Sequence, residues 1–222
     1  MYIPSLFVGM KFFYRSIYIC TKKFFSLLFR HQVYGKHHLP AGPCILAPNH
    51  ASFLDPPLVA ISCDEEVNFL ARGSLFNNTI FKKLISHLNS YPVGGISQDI
   101  TSLKLILQLL KDSKKVVIFP EGKRTPTGHL LPIKPGIGML ISKSQCPIIP
   151  VYIHGTYEAW PKKKWIPRLE GQTACVFGKP IYWEAYKDLP KKKAQEEISN
   201  AIQKSLKMLN FWYLNGAQGE PP

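Results

Sequence analysis

Acidic residues are scarce in this chain: 14 Asp plus Glu stand against 28 Lys plus Arg, for a net charge of +14. Such an excess points to phosphate-bearing partners, whether nucleic acid, anionic lipid or phosphorylated substrate, and does not choose among them. Long apolar runs are also missing. No stretch reaches the ~18 to 20 consecutive apolar residues of a transmembrane helix, because Lys11, Arg15, Lys22, Lys23 and Arg30 interrupt the N-terminal segment. In that segment the apolar part precedes the charges and no small-residue cleavage site follows, the reverse of a signal peptide. The five cysteines, Cys20, Cys44, Cys63, Cys146 and Cys175, are odd in number and never in a Cys-x-x-Cys spacing. That excludes a disulfide framework and a zinc motif and leaves small core residues in a reducing, cytoplasmic setting. No G-x-S-x-G occurs, so a hydrolase built on a serine nucleophile elbow is disfavoured.

What is present suits one catalytic domain with appendages, since 222 residues at 45% hydrophobic content can bury a substantial core. Between residues 5 and 29, apolar side chains recur at Leu6, Met10, Phe13, Ile17, Cys20, Phe24 and Leu28, three or four apart, as one helix face requires. Lys11, Arg15 and Lys22 share the opposite face. The pattern predicts an amphipathic, aromatic-rich segment lying in a membrane interface, against the plainer alternative of a surface helix packed on its own core. Beyond it, short apolar runs alternate with helical patterns. Strands are predicted over 32–35, 43–47, 67–71, 115–119, 148–154 and 173–177, and helices over 56–62, 74–87, 99–111, 136–144 and 191–209. The predicted fold class is α/β, a mixed and largely parallel sheet flanked by helices, preceded by the amphipathic membrane-binding segment. The expected division is 1–30 membrane-interface segment, 31–214 catalytic domain and 215–222 disordered tail.

Three segments carry chemistry. Asn49-His50-Ala51-Ser52-Phe53-Leu54-Asp55 follows a predicted strand, whose end delivers His50 to the sheet rim. Histidine titrates near neutral pH and suits removal of a hydroxyl proton. A carboxylate five residues later stands ~140° away on a continuous helix, so Asp55 can meet His50 only across a turn. Pro56-Pro57 supplies one, making Asp55 a helix N-cap candidate as well. A lone histidine is more often structural, and His31, His37, His38, His87 and His129 are read so; Ser52 is read as a capping residue. Next, Phe119-Pro120-Glu121-Gly122-Lys123-Arg124-Thr125 follows an apolar strand and gathers charge at its end. There Arg124 can hold two oxygens of a phosphate while Lys123 adds point charge. Finally, Ile148-Ile149-Pro150-Val151 reads as a strand whose proline suggests an edge or a local distortion.

The ordered set N-H-x4-D, F-P-E-G-x-R-T and I-P-V resembles the 1-acylglycerol-3-phosphate acyltransferase family of glycerolipid acyltransferases, over roughly residues 35 to 180. The resemblance implies that His50 is the general base, that Asp55 orients it, and that Glu121, Gly122, Lys123, Arg124 and Lys134 shape a glycerol-phosphate site. It implies no cofactor and no metal, with acyl-CoA or acyl carrier protein as thioester co-substrate and lysophosphatidate as acceptor, giving phosphatidate. It also implies attachment to the cytoplasmic face of a membrane, monotopic or peripheral, and no nucleic acid. The family commonly has an arginine between the two strong motifs. This chain has Tyr91-Pro92-Val93-Gly94-Gly95-Ile96-Ser97 there, with Arg72 and Lys104 as candidate substitutes. The alternatives are an acyltransferase for another lysophospholipid or for glycerol 3-phosphate, and a basic, non-enzymatic binder of membrane or nucleic acid carried by Lys162-Lys163-Lys164 and Lys191-Lys192-Lys193.

Overall fold

A computed structural model describes residues 10–93, 98–134 and 136–222. Its frame is a seven-stranded sheet: β1 (Gln32–Tyr34), β2 (Ile45–Pro48), β3 (Val67–Arg72), β4 (Ser90–Val93), β5 (Lys115–Val117), β6 (Ile148–His154) and β7 (Ala174–Phe177). The strand order is β1-β7-β6-β2-β5-β3-β4. Strands β2 to β6 run parallel, whereas β7 is antiparallel to β6 and pairs in parallel with β1, Gln32 opposite Ala174. The helices are α1 (Phe12–Phe29), α2 (Asp55–Ser62), α3 (Thr79–His87), α4 (Gln98–Lys111), α5 (Gly136–Ser144), α6 (Thr156–Ala159) and α7 (Lys191–Leu214).

Strand β2 explains the two-sided core. Its residues alternate faces: Leu46 packs with the apolar side chains of α1 and α2, while Ile45 and Ala47 pack with those of α4, α5 and α7. All four residues are buried, as expected for a parallel strand covered by helices on both faces. Helices α5 and α7 meet closely at Gly138, where an added Cβ would stand 2.4 Å from the Gln195 carbonyl oxygen.

Five expectations are corrected. In α1 the buried stripe is Tyr14, Tyr18, Phe25 and Phe29, each supported by period-3.6 spacing but shifted around the helix from the predicted apolar face. Phe13, Phe24 and Leu28 of that predicted face are exposed, as are Phe12 and Leu27; Leu6 and Phe7 lie outside the described residues. Tyr14 and Tyr18 face inward because their hydroxyls find partners, the Val67 N–H and the Ile61 carbonyl. Next, β4 was not anticipated, since its Ser90-Tyr91-Pro92-Val93 is short and carries a proline, which an edge strand tolerates. The helix expected over 74–87 is split: a 3-10 turn at Gly73–Phe76 precedes α3, whose start Asn78 caps by accepting the Phe81 N–H at 2.9 Å. Pro150 sits in an interior strand that is buried from Ile148 to Ile153, so of the two readings of this proline the edge is overturned and the local distortion holds. The proline is accommodated where the β6–β7 ladder slips by one residue between the Val151–Phe177 and Ile148–Ile181 pairs, a bulge at which no N–H is needed.

The fifth correction is the tail. Residues 215–222, expected to be disordered, fold back from α7. The Trp212 indole N–H donates to the Gln218 carbonyl at 2.9 Å, and Pro221 is buried against Gly35. A glycine is required at position 35: φ is +67°, and a Cβ would lie 2.1 Å from the Phe177 carbonyl oxygen. Low-complexity composition had concealed an aromatic and a proline anchor.

Candidate active site

The neighbouring central strands β2 and β5 release their C-terminal loops on the same rim of the sheet, where ligands bind in open α/β folds. After β2, Asn49 fixes the exit of the chain. Its side-chain amide donates to the Ile153 carbonyl at 3.1 Å and accepts the Ile153 N–H at 2.7 Å, continuing the pairing with β6. The next residue is His50.

The turn that brings His50 and Asp55 together is tied by the carboxylate itself. One oxygen of Asp55 accepts the His50 Nδ1–H at 2.7 Å, the Ala51 N–H at 2.6 Å and the Ser52 N–H at 2.7 Å. Asp55 is fully buried, whereas the His50 ring is 19% exposed. Asp55 is the first residue of α2 and not its cap, because Leu54 precedes the helix and no side-chain cap is made. A carboxylate acceptor requires the proton on Nδ1, so Nε2 of the neutral ring carries the free lone pair. Phe119 stacks on the imidazole with ring centroids 4.0 Å apart. Ser52, expected to cap, makes no cap on α2: its hydroxyl donates to the Trp160 carbonyl at 2.8 Å and accepts from Leu54 N–H, tying the turn to the chain at Trp160.

The β5 loop closes on the same turn. Glu121 is buried, and its carboxylate accepts the His50 backbone N–H at 3.3 Å, while Thr125 N–H donates to the His50 carbonyl at 2.8 Å. Burial raises the Glu121 pKa to about 7, with Asp55 pushing the same way and the His50 and Leu131 N–H groups pulling it back. Arg124 lies over the Phe53 ring, 3.5 Å from its centroid, and one of its guanidinium nitrogens, Nη1, is buried without a hydrogen-bond partner. Desolvation lowers the Arg124 pKa, Asp55 offsets this, and the charge of Arg72 adds to it. Arg72 closes β3 and thus brings a second guanidinium into the field of the first. Lys134 also converges: its N–H donates to the Pro120 carbonyl at 3.0 Å, and its side chain covers Gly122, where a Cβ would lie 2.7 Å from Nζ. Gly122 adopts φ +71°, so this position needs glycine on both counts. Lys123 is exposed beside them.

All seven candidates therefore belong to two segments in contact: His50 and Asp55 to the turn from β2 into the first residue of α2, and Glu121, Gly122, Lys123, Arg124 and Lys134 to the connection after β5. Gly94-Gly95, the point of departure from the family pattern, lies outside the described residues. Sequence reasoning missed Phe119 and Phe53 as the platforms under His50 and Arg124, and Asn49 as the tether to β6. Their position within the motifs was the available signal.

A histidine–carboxylate pair thus meets a basic cluster at the rim of this sheet. The family model described as Acyltransferase matches residues 30–154, more than half of the chain, and this protein belongs to that family. Its relatives include the 1-acyl-sn-glycerol-3-phosphate acyltransferase of Bacillus subtilis, 24% identical over 180 residues that cover 80% of this chain and 87% of that one. The enzyme of that name from Limnanthes alba is 38% identical over 144 residues, covering 59% and 47%, respectively. The chloroplastic BAT2 enzyme of Brassica napus, also so named, is 27% identical over 158 residues, covering 69% and 46%. The chain thus spans less than half the length of these two plant relatives. In fold it matches the crystal structure of the 1-acyl-sn-glycerophosphate (LPA) acyltransferase PlsC from Thermotoga maritima. The TM-score is 0.71 at 24% identity, covering 87% of this chain and 77% of that one.

Proposed function

We propose that this protein transfers a fatty acyl group from acyl-CoA or acyl carrier protein to the sn-2 hydroxyl of 1-acylglycerol 3-phosphate, giving phosphatidate. The observation that carries the reading is the His50–Asp55 pair, which leaves Nε2 of His50 as a free base at the rim. Nε2 takes the proton of the acceptor hydroxyl as its oxygen attacks the thioester carbonyl. The tetrahedral oxyanion then collapses, the carbon–sulfur bond breaks, and the thiolate leaves with the proton returned by His50. Asp55 stays ionised and supports the imidazolium formed on the way. No acyl-enzyme, metal or cofactor takes part.

The acceptor phosphate is assigned to Arg124, with Arg72, Lys134 and Lys123 adding charge. The partnerless nitrogen of Arg124 supports this, because a buried guanidinium donor without an acceptor is costly and a phosphate oxygen satisfies it. Arg72 supplies the positive charge that the family places in the 91–97 stretch. The membrane is the natural source of such an acceptor, and a peripheral or monotopic seat on its cytoplasmic face fits the exposed aromatic residues of α1. Nucleic acid is not assigned a role.

The test is product identification by mass spectrometry after offering lysophosphatidate, glycerol 3-phosphate and lysophosphatidylcholine with each donor type. Phosphatidate from lysophosphatidate is expected. Acylation of lysophosphatidylcholine alone would displace the acceptor, and no transfer to any of the three would displace the reaction.

A further inference from the structure

On the side of the molecule where the tail returns, the 3-10 turn Lys36–His38 between β1 and β2 carries two adjacent histidines. Among the described residues, one ring nitrogen each of His37 and His38 and a carboxylate oxygen of Glu220 lie within 4.8 Å of one another. The His37 Nε2 to Glu220 Oε2 distance is 3.0 Å, and the two imidazole centroids are 4.3 Å apart. We infer that His37, His38 and Glu220 form a surface metal site for a divalent ion such as zinc, which clips the C-terminal tail to the β1–β2 connection.

Two observations lift this group above an ordinary exposed ion pair. His38 Nδ1 lies 2.9 Å from the Phe177 carbonyl oxygen. A carbonyl only accepts, so Nδ1 carries the proton and Nε2 is left as a lone-pair donor. Metal-binding histidines are held in this way, with the second ring nitrogen donating to a backbone carbonyl. The second observation is that Glu220 is delivered by a built structure and not by a loose end. Pro221 beside it is buried against Gly35, and the Pro222 carbonyl accepts the Lys179 N–H at 3.4 Å. Two imidazoles and a carboxylate form a donor set suited to zinc, with water in the fourth position. At zinc–ligand distances of ~2.0–2.1 Å, tetrahedral ligand atoms sit ~3.3 Å apart, so the present spacing needs shifts of roughly 1.5 Å at most. Both His37 and Glu220 are exposed enough to make them. The clip is separate from catalysis: it fixes Gln218, Glu220 and Pro222 as one wall of an open groove along α7 that Lys204, Lys207 and Phe211 also line.

The test uses the full chain, stripped with a chelator and titrated with zinc by calorimetry, with amide hydrogen exchange of residues 217–220 followed in parallel. One equivalent of zinc is expected to bind and to slow exchange in the tail. His37→Ala and His38→Ala should each weaken binding at least tenfold and abolish the slowing, and Glu220→Gln should weaken binding. His50→Ala, His87→Ala and Cys20→Ser should bind like wild type. If His38→Ala is misfolded through loss of its bond to Phe177, the exposed His37→Ala decides. The inference is overturned if the wild type takes up no zinc, if uptake survives in the histidine variants, or if uptake leaves tail exchange unchanged.

Discussion

At the scale of single residues, the site rests on one carboxylate oxygen with three donors. His50→Ala removes the base but leaves Asp55 held by the Ala51 and Ser52 N–H groups. Turnover should therefore fall at least ~10²-fold, the contribution of a positioned base, while thermal unfolding stays near wild type. Asp55→Ala differs, because it leaves two buried N–H groups unpaired at ~1–3 kcal/mol each, so it should lose both activity and stability in parallel assays. Glu121 gives a pH signature. Its native pKa of about 7 lies above the ordinary 4.5, so its protonated form favours the folded state. That contribution is complete below about 4.5 and is lost as pH rises through about 7. Urea unfolding across this window should show wild type losing stability relative to Glu121→Gln as pH rises, with no further change above it. A flat difference would place Glu121 in a wetter setting than its burial indicates.

At the scale of elements, α1 has two apolar faces with different duties. Tyr14, Tyr18, Phe25 and Phe29 dock it on the domain, while Phe12, Phe13, Phe24, Leu27 and Leu28 face outward. Among the described residues no helix is long and apolar enough to cross a membrane. The exposed aromatic and leucine side chains of the outward face are what the proposed membrane interface would take up. A Phe13→Ser, Phe24→Ser, Leu27→Ser variant should lose flotation with anionic vesicles and keep its melting temperature. Phe25→Ala should do the opposite and cost ~3–5 kcal/mol of stability, as an emptied aromatic core site does. Deleting residues 1–30 outright would mix the two effects. Here lies the boundary of what was legible in the sequence. The six expected strands and the α2, α4, α5 and α7 helices were readable because apolar runs and proline starts mark them. The buried face of α1 was not, since aromatic residues on both sides of a helix satisfy its period equally well, and only tyrosine hydroxyl partners decide which side turns in. At the site, the motif residues were readable and their platforms were not: stacking of Phe119 on His50 depends on two chain segments meeting across 69 positions.

At the scale of the whole molecule, the charge of +14 surrounds a site that is itself basic. Attraction to an anionic bilayer is then expected to add to the proposed apolar insertion of α1, and to be screened over about 10 Å at 0.1 M salt. Vesicle binding measured by flotation should fall between about 0.05 and 0.5 M salt, and the α1 serine variant should become the more salt-sensitive of the two proteins. A residual affinity that ignores salt in the serine variant would assign membrane attachment to other exposed apolar groups, such as Trp165 and Ile166. The pairing of β1 with β7, Gln32 beside Ala174, bears on biosynthesis. The sheet partner of β1 follows it about 140 residues later in the chain, ~7–28 s at 5–20 residues per second. During that interval α1 has been made while the strand that pairs with β1 has not, so α1 is available to a membrane or a chaperone before β1 has its partner.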